Sequence, residues 1–145
     1  MDVPKLRARL KTARLLLGDV AETLPGFTER EKPPPIGFIV FDLDYYSSTV
    51  TALKILEADH RYLLPRVACY LDDMIGDIDW AYNDLTGEFN EQHDDIKIAP
   101  VSGLRFSGSH IPQAWHEQTF VAHLFTHPDY RTHVHDFSQL PLDAN

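Results

Sequence analysis

Ile36-Gly37-Phe38-Ile39-Val40-Phe41-Asp42-Leu43-Asp44-Tyr45-Tyr46-Ser47-Ser48-Thr49 decides the fold class. An apolar run without a single charge passes directly into two acids, Asp42 and Asp44, and then into hydroxyl side chains suited to starting a helix. Continuous rather than alternating apolarity predicts a parallel strand over 36–41 with both faces covered. From Ser47 to Glu57, Val50, Leu53 and Leu56 recur at helical spacing, which predicts a helix capped by Ser47 or Ser48. Val67-Ala68-Cys69-Tyr70-Leu71 repeats the apolar pattern and ends in Asp72-Asp73. Strand, helix and strand within about 35 residues make a βαβ unit. Its two acidic ends then fall side by side at one edge of a parallel sheet, where open α/β sheets bind ligands.

Working outward, Val3 to Leu10 carries apolar residues at helical spacing and reads as a short amphipathic helix. Arg14 to Leu17 reads as a short strand ending at Gly18-Asp19, and Val20 to Leu24 as a helix stopped by Pro25-Gly26. Glu29 to Pro35 is a polar, proline-rich connection. Downstream, Glu88 to Asp95 is expected to be helical, Ile96 to Val101 a strand, and Gly103 to Pro112 a loop. Thr119 to Phe125 alternates β-formers and is expected to make the last strand, antiparallel to the others. The predicted class is a single α/β domain over residues 1–145, with a mostly parallel sheet.

A chain of 145 residues suits one domain and buries roughly two-thirds of its unfolded surface. The formal charge of -9 argues against a nucleic-acid partner, because phosphate binding needs a basic face. Lys5, Arg7, Arg9, Lys11 and Arg14 form the one basic stretch, read as a solvated helix face. Cys69 is the only cysteine, so no internal disulfide or cysteine-based zinc site can form, and its apolar neighbours predict an inert core thiol. No apolar run approaches the roughly 20 residues of a membrane helix. The charged start has no signal-type apolar region, which makes the cytoplasm the expected location.

Asp42, Asp44, Asp72 and Asp73 are the candidate chemistry. Carboxylates crowded into one pocket cannot all stay ionised without a counter-charge. A divalent cation supplies one, and oxygen-only ligands favour Mg²⁺, Ca²⁺ or Mn²⁺. The competing reading is that they are loop acids and helix caps. His123 and His127 have the spacing of a helical metal pair but lack its glutamate and are followed by Pro128. Trp80-Ala81-Tyr82 and Trp115-His116 put large aromatics in expected loops, as core plugs or as the wall of a substrate pocket. No G-x-G-x-x-G turn, P-loop or G-x-S-x-G elbow occurs.

The order Leu15-Leu16-Leu17-Gly18-Asp19, then Phe41-Asp42-Leu43-Asp44-Tyr45-Tyr46-Ser47-Ser48-Thr49, then Tyr70-Leu71-Asp72-Asp73 resembles class I S-adenosylmethionine-dependent methyltransferases. The nearest branch is the macrocin O-methyltransferase-like group, which acts on sugars and small natural products. Trp115-His116-Glu117-Gln118 and His123-Leu124-Phe125-Thr126-His127-Pro128 look like that group's terminal strands. The resemblance implies a partial Rossmann-like sheet lacking the family's first two strands and their glycine-rich turn. It implies that Asp19 lies beside the adenine of S-adenosylmethionine, and that Asp42 or Asp44 serves as base or metal ligand near an acceptor hydroxyl. Asp72 and Asp73 would complete a Mg²⁺ site that lowers the pKa of that hydroxyl. A domain of this kind is expected to be incomplete as a catalyst alone. Its 36–41 strand is left as an apolar edge, to be covered by Arg14–Leu17, by a second copy in a homodimer, or by an N-terminal partner polypeptide. Two other readings stand beside it. One is a haloacid-dehalogenase-like phosphatase, with Asp42 and Asp44 as its acid pair and Asp73 with Asp77 on Mg²⁺. The other is a non-catalytic dimerising subunit.

Overall fold

The computed structural model describes residues 2–72, 85–101 and 118–132. Helix α1 (Val3–Arg9) starts at Asp2, whose carboxylate accepts from the Lys5 amide, and presents Lys5, Arg7 and Arg9 to solvent. Helix α2 (Val20–Thr23) is capped by Asp19, and α3 (Phe27–Glu31) ends at Lys32 in the left-handed region (φ 47, ψ 55). Strand β1 (Ile36–Phe41) follows, then α4 (Tyr46–Leu53) running into a 3₁₀ turn (Lys54–Glu57). A second 3₁₀ turn (His60–Tyr62) leads into β2 (Leu63–Leu71). The remaining elements are α5 (Gly87–Gln92), β3 (Ile96–Pro100) and β4 (Thr119–Leu124).

These strands form one four-stranded open sheet in the order β1-β2-β4-β3. β1 and β2 are parallel, while β4 is antiparallel to both β2 and β3. Three strands therefore run one way, and the last described strand runs back between two of them. Alternation in β4 makes this possible: Phe120, Ala122 and Leu124 are buried, while Thr119, Val121 and His123 lie on the other face. One buried cluster joins Val67, Cys69, Leu71, Ile96 and Ile98 of the sheet to Ala52, Leu53, Ile55, Leu56 and Phe89 of the helical layer. Cys69 is fully buried there, and loss of hydration pushes its thiol up to about 12.

Several expectations are corrected. Arg14–Leu17 is not a strand: its backbone joins no strand among the described residues, and Leu16 and Leu17 are 44% and 45% exposed. It therefore does not cover β1. Glu29 to Glu31 belongs to α3 rather than to an irregular connection. Among the described residues β1 is an edge strand with one face open, Phe38 being 60% and Val40 53% exposed, so its unbroken apolarity does not reflect burial on both sides. Three described strands share one direction and the last is reversed, as expected, but its place between β2 and β3 leaves one parallel pair and two antiparallel ones. β2 begins at Leu63, earlier than expected, and its register against β1 slips between Ile36–Leu63 and Phe38–Ala68. Pro65 sits in that slip, where its missing N–H costs no regular ladder bond. The cap of α4 is Tyr45 with no side-chain hydrogen bond, in place of Ser47 or Ser48.

Candidate functional site

The parallel pair brings the two acidic strand ends together. Val40 faces Tyr70 and Phe41 faces Leu71 in the register, and the Asp72 amide donates to the Phe41 carbonyl at 3.0 Å. That last bond carries the ladder one step past the strands and sets Asp42 beside Asp72. Asp42 and Asp44 are exposed, whereas Asp72 is half-buried.

Tyr70 and Gln118 join them, and reading the sequence for acids alone overlooks both. The Tyr70 hydroxyl donates to Gln118 Oε1 at 2.7 Å, and Gln118 Nε2 donates to the Asp72 carbonyl. Gln118 is itself buried, and its own carbonyl accepts from the Leu71 amide at 2.9 Å. Both ends of its amide are thus committed, which fixes the phenol over the end of β2. Partial burial raises the Tyr70 phenol above its ordinary 10.0, with the adjacent Asp72 carboxylate and then the charge of Asp42 adding to the effect. The phenol thus lies within electrostatic reach of both carboxylates. A signal for Tyr70 was present in the sequence, since it stands two residues before Asp72 and alternate strand positions share a face. Gln118 has no local signal, because it arrives from the start of β4.

On its other side Asp42 borders an apolar groove of about 400 Å³, walled by Leu16, Val20, Leu24, Phe27, Ile39 and Ile55. Asp42 is the one acid among the residues lining it. Tyr46 closes a flank of the site by donating to Glu88 Oε2 at 2.7 Å, tying the start of α4 to α5.

Asp19 does not stand at a strand end. Its carboxylate accepts from the Ala21 amide at 2.8 Å and caps α2, with Val20 next to it on the groove wall. Among the described residues, no three His, Cys, Asp or Glu side chains are grouped so as to hold a metal ion. Asp73, Asp77, Trp80, Tyr82, Trp115 and His116 lie outside the described residues.

His123 and His127 hold structure. His127 accepts from the Asp129 amide at Nδ1 (3.0 Å), so Nε2 carries the hydrogen and shares it between the carbonyls of His60 and Leu63, each at 3.2 Å. His123 Nδ1 meets the Tyr130 hydroxyl at 2.9 Å, and the Arg66 guanidinium lies 4.3 Å from the centre of the Tyr130 ring. Partial burial, then the charge of Arg66, lowers His123 below its ordinary 6.5.

No helix among the described residues is long and apolar enough to cross a membrane. Comparison of the chain with family models, with curated proteins and with solved structures gives no match.

Proposed function

We propose that this chain carries the acceptor- and metal-binding edge of an S-adenosylmethionine- and Mg²⁺-dependent O-methyltransferase fold acting on small hydroxyl compounds such as sugars. The observation that carries the reading is the register that sets Asp42 beside Asp72 at the C-terminal ends of two parallel strands, with the Tyr70 side chain held there by Gln118. An antiparallel last strand, which belongs to the same reading, also supports it.

The two groups fit differently. Mg²⁺ is commonly held by one or two carboxylates plus water and substrate oxygens, a donor set that Asp42 and Asp72 can supply. When bound there, Mg²⁺ supplies positive charge that lowers the pKa of an acceptor hydroxyl. Asp42, exposed and bordering the groove, can take the proton of that hydroxyl while the apolar groove receives the body of the acceptor. Tyr70, locked by Gln118, positions the acceptor oxygen against the two acids. S-adenosylmethionine does not fit the described residues: Asp19 is spent on capping α2, Arg14–Leu17 forms no strand, and the sequence has no glycine-rich turn. No step is therefore derived through it.

Calorimetric titration with Mg²⁺, and separately with S-adenosylmethionine, tests the proposal. Mg²⁺ should give a heat signal that Asp42→Asn and Asp72→Asn each abolish. It should also bring the Tyr70 phenol, followed by its ultraviolet absorbance, back toward 10.0, because a cation offsets the two negative charges. Mg²⁺ binding that survives both substitutions would sink the metal assignment. A methyl-transfer signal from the chain alone would show that residues outside those described build a donor site.

A further inference from the structure

The outer edge of β1 is built for pairing and, among the described residues, pairs with nothing. The Phe41 carbonyl faces β2, where it accepts from Asp72. Backbone groups alternate sides along a strand, so those of Val40 and Phe38 face outward. Their side chains are also the exposed ones, at 53% and 60%. The strand holds no charge or proline that would discourage a partner along 36–41, and its one irregularity, between Ile36 and Phe38, lies at its start. Beneath the edge runs the apolar groove of about 400 Å³ to which Ile39 and Val40 contribute.

We infer that a second copy of this chain occupies this edge, β1 against β1 antiparallel about a two-fold axis at Ile39, making one continuous eight-stranded sheet from two four-stranded ones. Charge selects the occupant and the direction. Lys32 precedes the strand, Asp42 and Asp44 follow it, and all three are exposed. Antiparallel pairing brings Lys32 of each copy toward the acids of the other, whereas parallel pairing would set acid beside acid and lysine beside lysine. Centring on Ile39 places the outward backbone groups of Phe38 opposite those of Val40 in the second copy, so both exchange hydrogen bonds. The side chains of Phe38 and Val40 from both copies then share one face, and the two Ile39 residues meet over the grooves.

The register is testable because a directly opposed, non-hydrogen-bonded antiparallel pair brings its Cα atoms to about 4.5 Å, within disulfide reach. Light scattering on the eluting full chain should give twice the 16.6 kDa chain mass. Val40→Lys, and independently Phe38→Lys, should give the single mass with unchanged circular dichroism. Ile39→Cys should close into a covalent dimer under mild oxidation, while Cys69, buried and protonated, stays out of the reaction. A wild-type chain that runs at the single mass, or as an open-ended aggregate, overturns the proposal. So does a dimer that persists in both lysine variants, or a dimeric Ile39→Cys that does not cross-link.

Discussion

The sheet has two edges, and the protein treats them differently. At β3 the side chain of Asn90, one turn up on α5, donates to the Ile98 carbonyl at 2.8 Å and accepts from the Ile98 amide at 2.7 Å. One amide thus stands in for a neighbouring strand. Lys97 adds a clasp by donating to the carbonyls of Asn90 and His93, which fastens the end of α5 to β3. At β1 no such side chain among the described residues reaches the outer backbone, and two large apolar side chains are exposed. An edge is closed by a polar side chain delivered at the right height, and apolar sequence alone leaves it open. Because β3 is guarded and β1 is not, the open edge reads as a feature kept for use.

The comparison can be broken most easily in the core. Ile98, an edge residue by position but 1% exposed, should cost ~2–5 kcal/mol on change to alanine. Phe38→Ala on the other edge, measured in dilute solution, should stay within ~0.5 kcal/mol. Equal shifts of the urea midpoint would erase the distinction between the edges. Asn90→Ala should cost ~1–3 kcal/mol, because it strands a backbone donor and acceptor together. The Ile98 amide should then exchange with solvent much faster, and unchanged exchange would remove Asn90 from its guarding role.

Strand β2, paired on both sides, supplies a third reference through Cys69. Its folded thiol stays protonated to about 12, whereas the unfolded thiol ionises near 9.0. Stability from this group is complete below 9.0 and is lost as pH rises toward 12, by up to ~1.4 kcal/mol per pH unit. Cys69→Ala should flatten the alkaline slope by one proton, and the wild-type thiol should resist alkylation until the chain unfolds. The smallest effect belongs to His123, which lies opposite Lys97 of the guarded edge. Its folded form titrates below 6.5, so its contribution is present above that pH and fades as pH falls through it. Arg66→Met should move the NMR titration of His123 upward, and an unmoved midpoint would leave burial as the whole cause.

The elements readable from sequence were those whose pattern has one physical cause. The apolar runs at Ile36–Phe41 and Val67–Leu71 and the alternation at Thr119–Leu124 each became strands, and Val50, Leu53 and Leu56 marked the helix between the first two. Leu15-Leu16-Leu17 misled because apolarity does not by itself make a strand: side-chain packing decides, and Leu16 lines the groove instead. Pro65 hid the early start of β2, since a proline in a strand is tolerated only where the ladder is already broken. Continuous apolarity at β1 carried no sign of whether the second face would be covered, because that depends on elements far along the chain. At the candidate site, the juxtaposition of Asp42 and Asp72 was legible, because it follows from adjacent parallel strands and the Phe41–Asp72 bond. Gln118 was not, as its role arises from a contact spanning 48 residues with Tyr70.

The insertion of β4 between β2 and β3 also sets an order of assembly. Within the sheet β3 pairs with no strand but β4, and β2 reaches it through β4 alone. As the chain leaves a ribosome, β1, α4 and β2 can associate early, while Ile96 and Ile98 have no partner strand among the described residues until Thr119–Leu124 emerges. That delay leaves the long-range pairing of β2 with β4 until after the earlier strands have been made, so their apolar surface stays exposed to wrong partners in the meantime. The reversed strand is therefore the keystone of biogenesis: nascent chains stalled ahead of it should engage chaperones, and those stalled after it should not.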